Sequence, residues 1–307
     1  MITLENKELI IQINKKGAEL SSVIDRKSNY EFIWQADERY WGRHAPVLFP
    51  IIGRLKEDQF EYKGKHYEMS QHGFARDQVF ELEDSNANSA LFSLTYDEES
   101  LKIYPFKFKL FIRYLLNGND LTIDYEIINL SKSEGIYYSI GGHPAFNVSL
   151  TETDEHQDFD DIFFEIHPDR SYTKIPISDE GLTQLHKIEQ VGNNRKKLKH
   201  EDFKNDALIY EILSQSEVVL RDTIKNVEIR LKPNRMGYLG VWTPYPKQAG
   251  FICLEPWTGF ADSEKATGKL EEKNGISFLN ADEKMNHEYT ITFLKETKIQ
   301  AIQRWGN

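Results

Sequence analysis

The sequence of 307 residues has only one cysteine, Cys253, and no long apolar run. A single cysteine excludes an intrachain disulfide and a four-thiolate zinc site. No stretch approaches the ~18 apolar residues of a membrane-spanning helix. Residues 1–13 lack the basic segment and apolar core of a signal peptide. These absences predict a cytoplasmic protein that does not associate with membranes.

Positive charge is also scarce. Lys and Arg number 38 against 49 Asp and Glu, which gives a formal net charge of −11 without a basic stripe. This balance argues against a nucleic acid or an anionic membrane as a partner. It leaves a neutral small molecule, or an anion held by a few local arginines, as the expected ligand.

Common catalytic motifs are missing as well. The chain has no GxxxxGK[ST] or GxGxxG loop for nucleotides, no HExxH and no GxSxG. None of the nine histidines shows a metal-ligand spacing, so we expect neither a metal site nor a cofactor. Histidines and carboxylates are therefore the candidates for the chemistry.

Short segments in which apolar and polar residues alternate run through the chain and predict β-strands. Long helical periodicity is nearly absent; a single helical turn is expected at residues 37–41. Many short strands with frequent turns indicate an all-β fold, an antiparallel sandwich or barrel. No Pro- or Gly-rich linker divides the chain, so we predict one domain over residues 1–307. The predicted strands cover residues 9–13, 60–62, 66–69, 106–114, 121–128, 218–220, 227–231, 237–243, 251–254 and 289–294.

Two polar stretches interrupt this pattern. Residues 262–274 are expected to form a mobile loop, which leaves open whether it closes over a ligand. Residues 151–160 are expected to form a solvated acidic loop.

His143 follows two glycines and precedes a proline. The glycines permit a tight turn or the close approach of a ligand, and Pro144 fixes the backbone after the histidine. A histidine can protonate a leaving oxygen near neutral pH. The alternative is a buried histidine whose ring is satisfied by the backbone.

Glu255 ends an apolar segment. If residues 251–255 are a strand, Cys253 and Glu255 lie on one face, and Pro256 ends the ladder. Partial desolvation then raises the pKa of the Glu255 carboxyl toward the range that suits a general base. Pairing with a neighbouring arginine, or plain solvation, is the alternative.

Further candidates lie near other glycines. His72 has the same two interpretations as His143. Arg54 and Arg76 are candidates to hold hydroxyls or a phosphate, although both are also compatible with unremarkable surface positions. Four tryptophans are candidates to stack on a sugar ring, with core packing as the alternative: Trp34, Trp41, Trp242 and Trp257.

Taken together, these segments resemble the aldose 1-epimerase (galactose mutarotase) family. The resemblance runs over nearly the whole chain, up to residues 275–279. Its most specific parts are residues 142–147, GHPAFN, and residues 254–259, LEPWTG, in that order and at suitable separation.

The resemblance implies a large antiparallel β-sandwich with the sugar in an open cleft, and an enzyme that interconverts sugar anomers. It implies that His143 is the general acid and Glu255 the general base. His72 and Arg54 match positions that hydrogen-bond the sugar, and Asp206 matches an aspartate that binds a ring hydroxyl. No redox cofactor or metal is implied, since only protons move.

Departures from the family pattern keep the substrate open. Ala145 stands where an aromatic residue is common. Residues 46–54 and 71–77 are more similar to a bacterial branch and to hexose-6-phosphate epimerases, in which Arg76, with Arg43 or Arg54, would face a phosphate. The alternatives are therefore a hexose-6-phosphate 1-epimerase, or a carbohydrate-binding or sensing protein without turnover. The partner is a small-molecule sugar or sugar phosphate, and the oligomeric state is left open.

Overall fold

The computed structural model describes residues 1–151, 157–192 and 195–296. These residues form 24 strands, one short α-helix and five 3-10 helices. The strands are β1 (Ile2–Glu5), β2 (Leu9–Ile13), β3 (Leu20–Asp25), β4 (Val47–Leu48), β5 (Gln59–Tyr62), β6 (Lys65–Glu68), β7 (Glu81–Ser85), β8 (Ser89–Thr95), β9 (Phe108–Asn117), β10 (Asp120–Asn129), β11 (Ile136–Tyr138), β12 (Gly141–Gly142), β13 (Ala145–Asn147), β14 (Ile162–His167), β15 (Tyr172–Ile175), β16 (Glu189–Val191), β17 (Arg195–Lys197), β18 (Leu208–Glu211), β19 (Glu217–Asp222), β20 (Val227–Lys232), β21 (Tyr238–Trp242), β22 (Phe251–Trp257), β23 (Ser277–Leu279) and β24 (Lys284–Lys295). The helices are α1 (Glu98–Ile103) and the 3-10 helices Lys56–Asp58, Ala75–Asp77, Leu185–Lys187, His200–Phe203 and Leu270–Glu272. Within this part of the chain, no helix has the length and hydropathy needed to cross a membrane.

Two large antiparallel sheets dominate. One has nine strands in the order β17-β14-β19-β20-β24-β10-β9-β8-β7. The other has eight, in the order β16-β15-β18-β21-β22-β12-β4, with β13 also paired to β22. Three small sheets, β1-β2-β3, β5-β6 and β11-β23, complete the set. The predicted all-β antiparallel sandwich is confirmed.

The β9–β10 hairpin shows how the sequence pattern builds this fold. Every second residue of β9 and β10 is buried, as alternating strands with one face on a core require. The turn between them uses Gly118 at φ 58°, a left-handed conformation that glycine adopts without a steric penalty. The two strands pair in register from Asp120 opposite Asn117 to Asn129 opposite Phe108.

Aromatic contacts join the two large sheets across the core. Phe146 of β13 lies 6.2 Å from Phe293 of β24, measured between ring centroids. Phe49, just after β4, lies 5.1 Å from Phe108 of β9. The strands predicted at residues 106–114 and 289–294 correspond to β9, which begins at Phe108, and to β24, which begins at Lys284. The sequence analysis did not predict the short strands β4 and β13.

Strand β22 is buried along its whole length, so both of its faces are covered. Ile252 and Leu254 join the main core, while Phe251 and Cys253 pack in a second cluster on the other face. The prediction that Pro256 ends the ladder is wrong. Proline removes one N–H donor, but pairing resumes at Trp257, which lies opposite both Tyr238 of β21 and Gly141 of β12.

The expected mobile loop at residues 262–274 is anchored at both ends. Lys273 Nζ lies 3.2 Å from Asp262 Oδ1, and both side chains are almost fully buried. Lys273 Nζ also donates a hydrogen bond to the Phe260 carbonyl at 2.6 Å, and Leu270 is buried between these anchors. Burial of this pair explains why a polar composition does not produce a solvated loop here.

The other two local predictions have different outcomes. Residues 37–41 form the expected single turn, in which the Trp41 N–H donates to the Asp37 carbonyl at 2.9 Å. Residues 152–156 of the predicted acidic loop lie outside the described residues. On either side of these residues, Leu150 and Phe159 form an isolated antiparallel β-bridge, and Phe159 is buried.

Candidate active site

A cavity of about 310 Å³ opens on the eight-stranded sheet, where the ends of β12, β18, β21 and β22 meet. Its wall combines catalytic residue types with aromatic and small side chains. The lining residues are Trp41, Gly53, Gln71, His72, Arg76, His143, Ile177, Gly181, Asp206, Ala207, Ile209, Trp242, Glu255, Trp257 and Ala261.

Glu255 reaches this cavity from β22, where it pairs with Gly240 of β21. Only 1% of the residue is exposed. Burial, followed by the nearby charge of Asp206, raises the pKa of the Glu255 carboxyl well above its ordinary value, while the indole of Trp257 acts in the opposite direction. A carboxyl group in this environment keeps its proton to a higher pH than an exposed carboxyl group does.

His143 lies in the short connection between β12 and β13, and its N–H donates to the Pro46 carbonyl at 3.1 Å. One face of its ring stacks on Trp41, with centroids 4.8 Å apart, and Trp242 approaches edge-on at 5.6 Å. Burial lowers the pKa of the imidazole to about 3, and the positive charges of Arg76 and Arg43 act in the same direction.

These two groups meet directly. Nε2 of His143 lies 3.1 Å from Oε2 of Glu255. The contact has the distance of an ion pair but not the angles of a hydrogen bond, and Oε2 has no hydrogen-bond partner among the described residues. Burial disfavours the charged form of each group, so it favours a protonated Glu255 beside a neutral His143.

Asp206 also lines the cavity. Its backbone has φ 74°, and its Oδ1 accepts a hydrogen bond from the Ala207 N–H at 2.8 Å. Burial raises the pKa of the Asp206 carboxyl, although the bonds to Ala207 and Trp242 oppose the shift. A second carboxyl group so close explains part of the raised pKa of Glu255.

His72 is held in one tautomer by the turn that carries it. The Gly53 N–H donates to His72 Nδ1 at 3.1 Å, and the His72 N–H donates to the Gly53 carbonyl at 2.9 Å. Nδ1 is therefore an acceptor, and a neutral ring carries its proton on Nε2. Burial and the charges of His143, Arg76 and Arg43 lower the pKa of His72 well below its usual value, so it is a neutral donor.

Arg76 also lines the cavity, with 16% of its side chain exposed. One terminal nitrogen donates to the Gln71 carbonyl at 2.6 Å. Burial, and then the charge of Arg43, lower the pKa of Arg76 to about 10. Arg43 lies 3.1 Å from Asp77, and Lys16 lies 3.8 Å from the same carboxylate. Lys16, Arg43 and Arg76 therefore all lie within 4.0 Å of the Asp77 carboxylate.

Arg54 does not belong to the cavity wall, contrary to the sequence-based expectation that it binds the sugar. Its Nε and one terminal nitrogen each donate to the Asp58 carboxylate at 2.8 Å, and another nitrogen donates to the Glu180 carbonyl at 3.3 Å. An acceptor four residues along the chain therefore holds the guanidinium at the protein surface.

Three of the four candidate tryptophans line the cavity: Trp41, Trp242 and Trp257. Trp34 lies behind Trp41 instead, where its indole N–H donates to the Trp41 carbonyl at 2.9 Å. The Trp257 ring fills space that two glycines leave open. A Cβ at Gly240 would lie 2.4 Å from the ring, and one at Gly141 would lie 2.6 Å from it.

The sequence did not single out one part of the wall. Ile177, Gly181, Ala207 and Ile209 complete the cavity from the β15–β18 side of the sheet. Small and apolar residues in ordinary loop and strand contexts carry no signal of their own. Only their closeness to Asp206 and Glu255 in space reveals them.

Comparisons with known proteins agree with this geometry. The family model described as aldose 1-epimerase matches residues 1–292. The plasmid-encoded protein LacX of Lactococcus lactis subsp. lactis is 32% identical over 302 residues, which cover 95% of this chain and 99% of LacX.

Solved structures give the same result. A galactose mutarotase related enzyme from Lactobacillus acidophilus is 37% identical and superposes with a TM-score of 0.91, covering 97% of this chain and 98% of that one. A galactose mutarotase-like protein from Lactobacillus casei ATCC 334 is 31% identical with a TM-score of 0.89, covering 96% and 100%.

Proposed function

Because the chain belongs to the aldose 1-epimerase family, and is thus an isomerase, we propose that it interconverts the α and β anomers of a hexose by proton transfer. The observation that carries the proposal is the contact between His143 and Glu255, 3.1 Å apart in a cavity of about 310 Å³. Two proton-transfer groups that meet in one small cavity are what ring opening at C1 requires.

The mechanism uses the pair in opposite roles. Glu255 removes the proton from the C1 hydroxyl while His143 donates a proton to the ring oxygen, and the ring opens to the free aldehyde. Rotation about the C1–C2 bond then presents the other face of the carbonyl. Reclosure reverses both transfers, so each turnover returns the proton that it used.

The single proton of the pair makes these roles possible. Burial favours Glu255 as the site of this proton, whereas catalysis needs the tautomer with a carboxylate and an imidazolium. The short separation lets the proton pass to His143 when sugar hydroxyls bind and replace lost solvation. His72 through Nε2–H, together with Asp206 and Arg76, is placed to hold those hydroxyls.

Proton NMR of the anomeric signals of fresh α-glucose and α-galactose tests this proposal. Purified protein should equilibrate one of them faster than buffer does. Glu255→Gln and His143→Asn should each lower the rate by at least ~10²-fold, the usual contribution of a positioned proton donor or acceptor. Arg54→Gln is the matched control and should keep most of the activity, because Arg54 lies outside the cavity.

Each result has a distinct meaning. Near-wild-type turnover in folded Glu255→Gln or His143→Asn would overturn the assignment of the pair. Binding of sugars without any acceleration would instead favour a carbohydrate-binding or sensing protein on the same fold.

A phosphorylated hexose is the second candidate substrate, and the arginines favour it. Asp77 lies within 4.0 Å of Lys16, Arg43 and Arg76, and the charge of Glu19 also acts on Arg76. Three cations against two carboxylates leave this cluster with one net positive charge. Arg76 is the member of this cluster that lines the cavity. Its guanidinium can pair with a phosphate group there.

The 6-phosphates of glucose and galactose, assayed beside the free sugars, distinguish the two substrate classes. A phosphate-specific enzyme should show a higher kcat/KM on a 6-phosphate, and Arg76→Gln should remove that preference without abolishing turnover of the free sugar. Equal rates on both forms, unchanged in Arg76→Gln, would exclude a phosphate subsite at Arg76.

A further inference from the structure

Cys253 carries a thiol next to Glu255 that the proton-transfer mechanism does not use. It is fully buried on β22, two residues before Glu255. Because strand side chains alternate, Cys253 and Glu255 project from the same face of β22. β13 pairs alongside, with Ala145 opposite Cys253, and His143 is only two residues before Ala145.

The side chains of His143, Cys253 and Glu255 converge. One donor atom from each lies within 4.8 Å of the other two. Neighbouring donors around a tetrahedral Zn²⁺ are roughly 3.5 Å apart, given bond lengths of about 2.0–2.3 Å. The closest pair, His143 Nε2 and Glu255 Oε2, is already at 3.1 Å, so only modest side-chain movements separate this set from a metal site.

Two further observations indicate a ligand. Oε2 of Glu255, the atom that faces His143 Nε2, is buried without a hydrogen-bond partner in the described part of the chain. Buried polar atoms of this kind are normally paired. His143 and Glu255 also line the cavity, so an ion can reach them from solvent and find Cys253 behind them.

We infer that His143, Cys253 and Glu255 form a binding site for a thiophilic divalent cation, of which Zn²⁺ is the type, and that the bound cation inhibits the enzyme. Nitrogen, thiolate sulfur and carboxylate oxygen are the zinc ligands of proteins, and three of them leave a fourth position open toward the cavity. On binding, the thiol proton and the proton held by Glu255 pass to solvent.

The bound cation inhibits because it occupies the lone pairs of His143 and Glu255 that proton transfer requires. A nitrogen that coordinates the ion cannot carry a proton to the ring oxygen, and a coordinated carboxylate is a weaker base. The inhibition therefore rests on the proposed epimerase function, whereas the binding itself does not.

Cadmium binding to the whole purified protein tests the site directly. Cd²⁺ bound to a thiolate gives a charge-transfer absorption band in the ultraviolet, and Cys253 is the only cysteine in the chain, so any such band reports on this residue. We expect a saturable band that Zn²⁺ displaces and that is absent from Cys253→Ala and Cys253→Ser.

Zinc titration of the epimerase rate tests the consequence. The Zn²⁺ concentration for half-inhibition, with each protein normalised to its own metal-free rate, should rise at least ~10-fold in Cys253→Ala, in line with the cost of weakening a metal site. His186→Gln is the matched control, because His186 faces Glu264 at 4.0 Å on the surface, away from the cavity.

The outcomes are separable. No charge-transfer band in the folded wild-type protein, or equal zinc inhibition of wild type and Cys253→Ala, would overturn the site. A cadmium band in a protein that epimerises no sugar would keep the metal site and reject the proposed function. Circular dichroism spectra establish that both Cys253 variants are folded.

Discussion

Trp41 and His143 lie face to face, with ring centroids 4.8 Å apart and planes inclined by 27°. The stack covers one side of the imidazole and restrains the rotation that would carry Nε2 away from Glu255. Trp41 is therefore a positioning residue for the proton-transfer pair as well as part of the cavity wall.

The Trp41→Leu variant tests this role. We expect kcat to fall by about 10- to 100-fold, since displacing a reacting group by ~1 Å can cost ~10²-fold. KM should change less than kcat. Saturation kinetics of anomer equilibration give both constants, and Tyr40→Leu is the control because Tyr40 belongs to the same cluster but does not line the cavity. A rise in KM alone would show that Trp41 binds sugar without positioning His143.

The pH–rate profile should depend on the one proton that His143 and Glu255 share. A second proton enters the pair only near the lowered pKa of His143, about 3. The first leaves at the raised pKa of Glu255. We therefore expect kcat/KM to be flat between these two pKa values and to fall once the pH rises past that of Glu255. An acid limb centred on the ordinary histidine value of 6.5 would contradict the burial argument.

Acid unfolding must be measured in parallel with this profile. His143 is neutral in the folded chain down to about pH 3 but becomes charged in the unfolded chain below its ordinary pKa of 6.5. The unfolded chain binds more protons in this interval. The contribution of His143 to stability is therefore present above pH 6.5 and is lost as the pH falls toward 3. Urea unfolding of wild type and His143→Asn across that range separates loss of structure from loss of catalysis.

Gly73, next to His72, should not tolerate a side chain. Its φ is 71°, and a Cβ would lie 2.2 Å from the Phe49 carbonyl oxygen. Gly64, at φ 75°, has open space around its Cβ position, so Gly64→Ala reports the backbone cost alone, about 1–2 kcal/mol. Gly73→Ala should lose a further ~1–3 kcal/mol through overpacking. Equal urea midpoints for the two variants would contradict the calculated clash.

The buried pair of Lys273 and Asp262 should be sensitive to the loss of one partner. Lys273→Met leaves the Asp262 carboxylate buried without its cation, and we expect the free energy of unfolding to fall by about 3–5 kcal/mol. Adding Asp262→Asn should recover part of this loss, because it removes the unpaired charge. Chemical denaturation measures both variants. No recovery in the double variant would mean that packing of Lys273, rather than its charge, holds the loop.

The sequence predicted β9 and β10 because a half-buried strand imposes a period of two on its side chains. It did not predict their neighbours β7 and β8, although these belong to the same sheet. It predicted the course of β22 less well, since Pro256 normally marks the end of a ladder while here both neighbouring strands continue to Trp257. The single-domain prediction for residues 1–307 stays a prediction.

For the candidate site, the sequence marked the two central residues but not their surroundings. His143 and Glu255 stand out because ionisable groups follow glycines or apolar strand residues. Arg54 and Arg76 have similar local sequences, and only the structure shows that Asp58 captures one guanidinium while the other lines the cavity. Distances between residues far apart in the chain, such as His143 and Cys253, are not encoded in any local pattern.

The packing of Trp257 against Gly141 and Gly240 has a consequence for how this protein can diversify. Both glycine positions are closed to any larger residue, because the indole already occupies the space that a methyl group would need. A larger residue there would push the ring, and with it the strand that carries Glu255. Under the proposed function, substrate preference can therefore change through residues such as Arg76 or Ala207, while two positions without any side chain stay as restricted as the proposed catalytic pair.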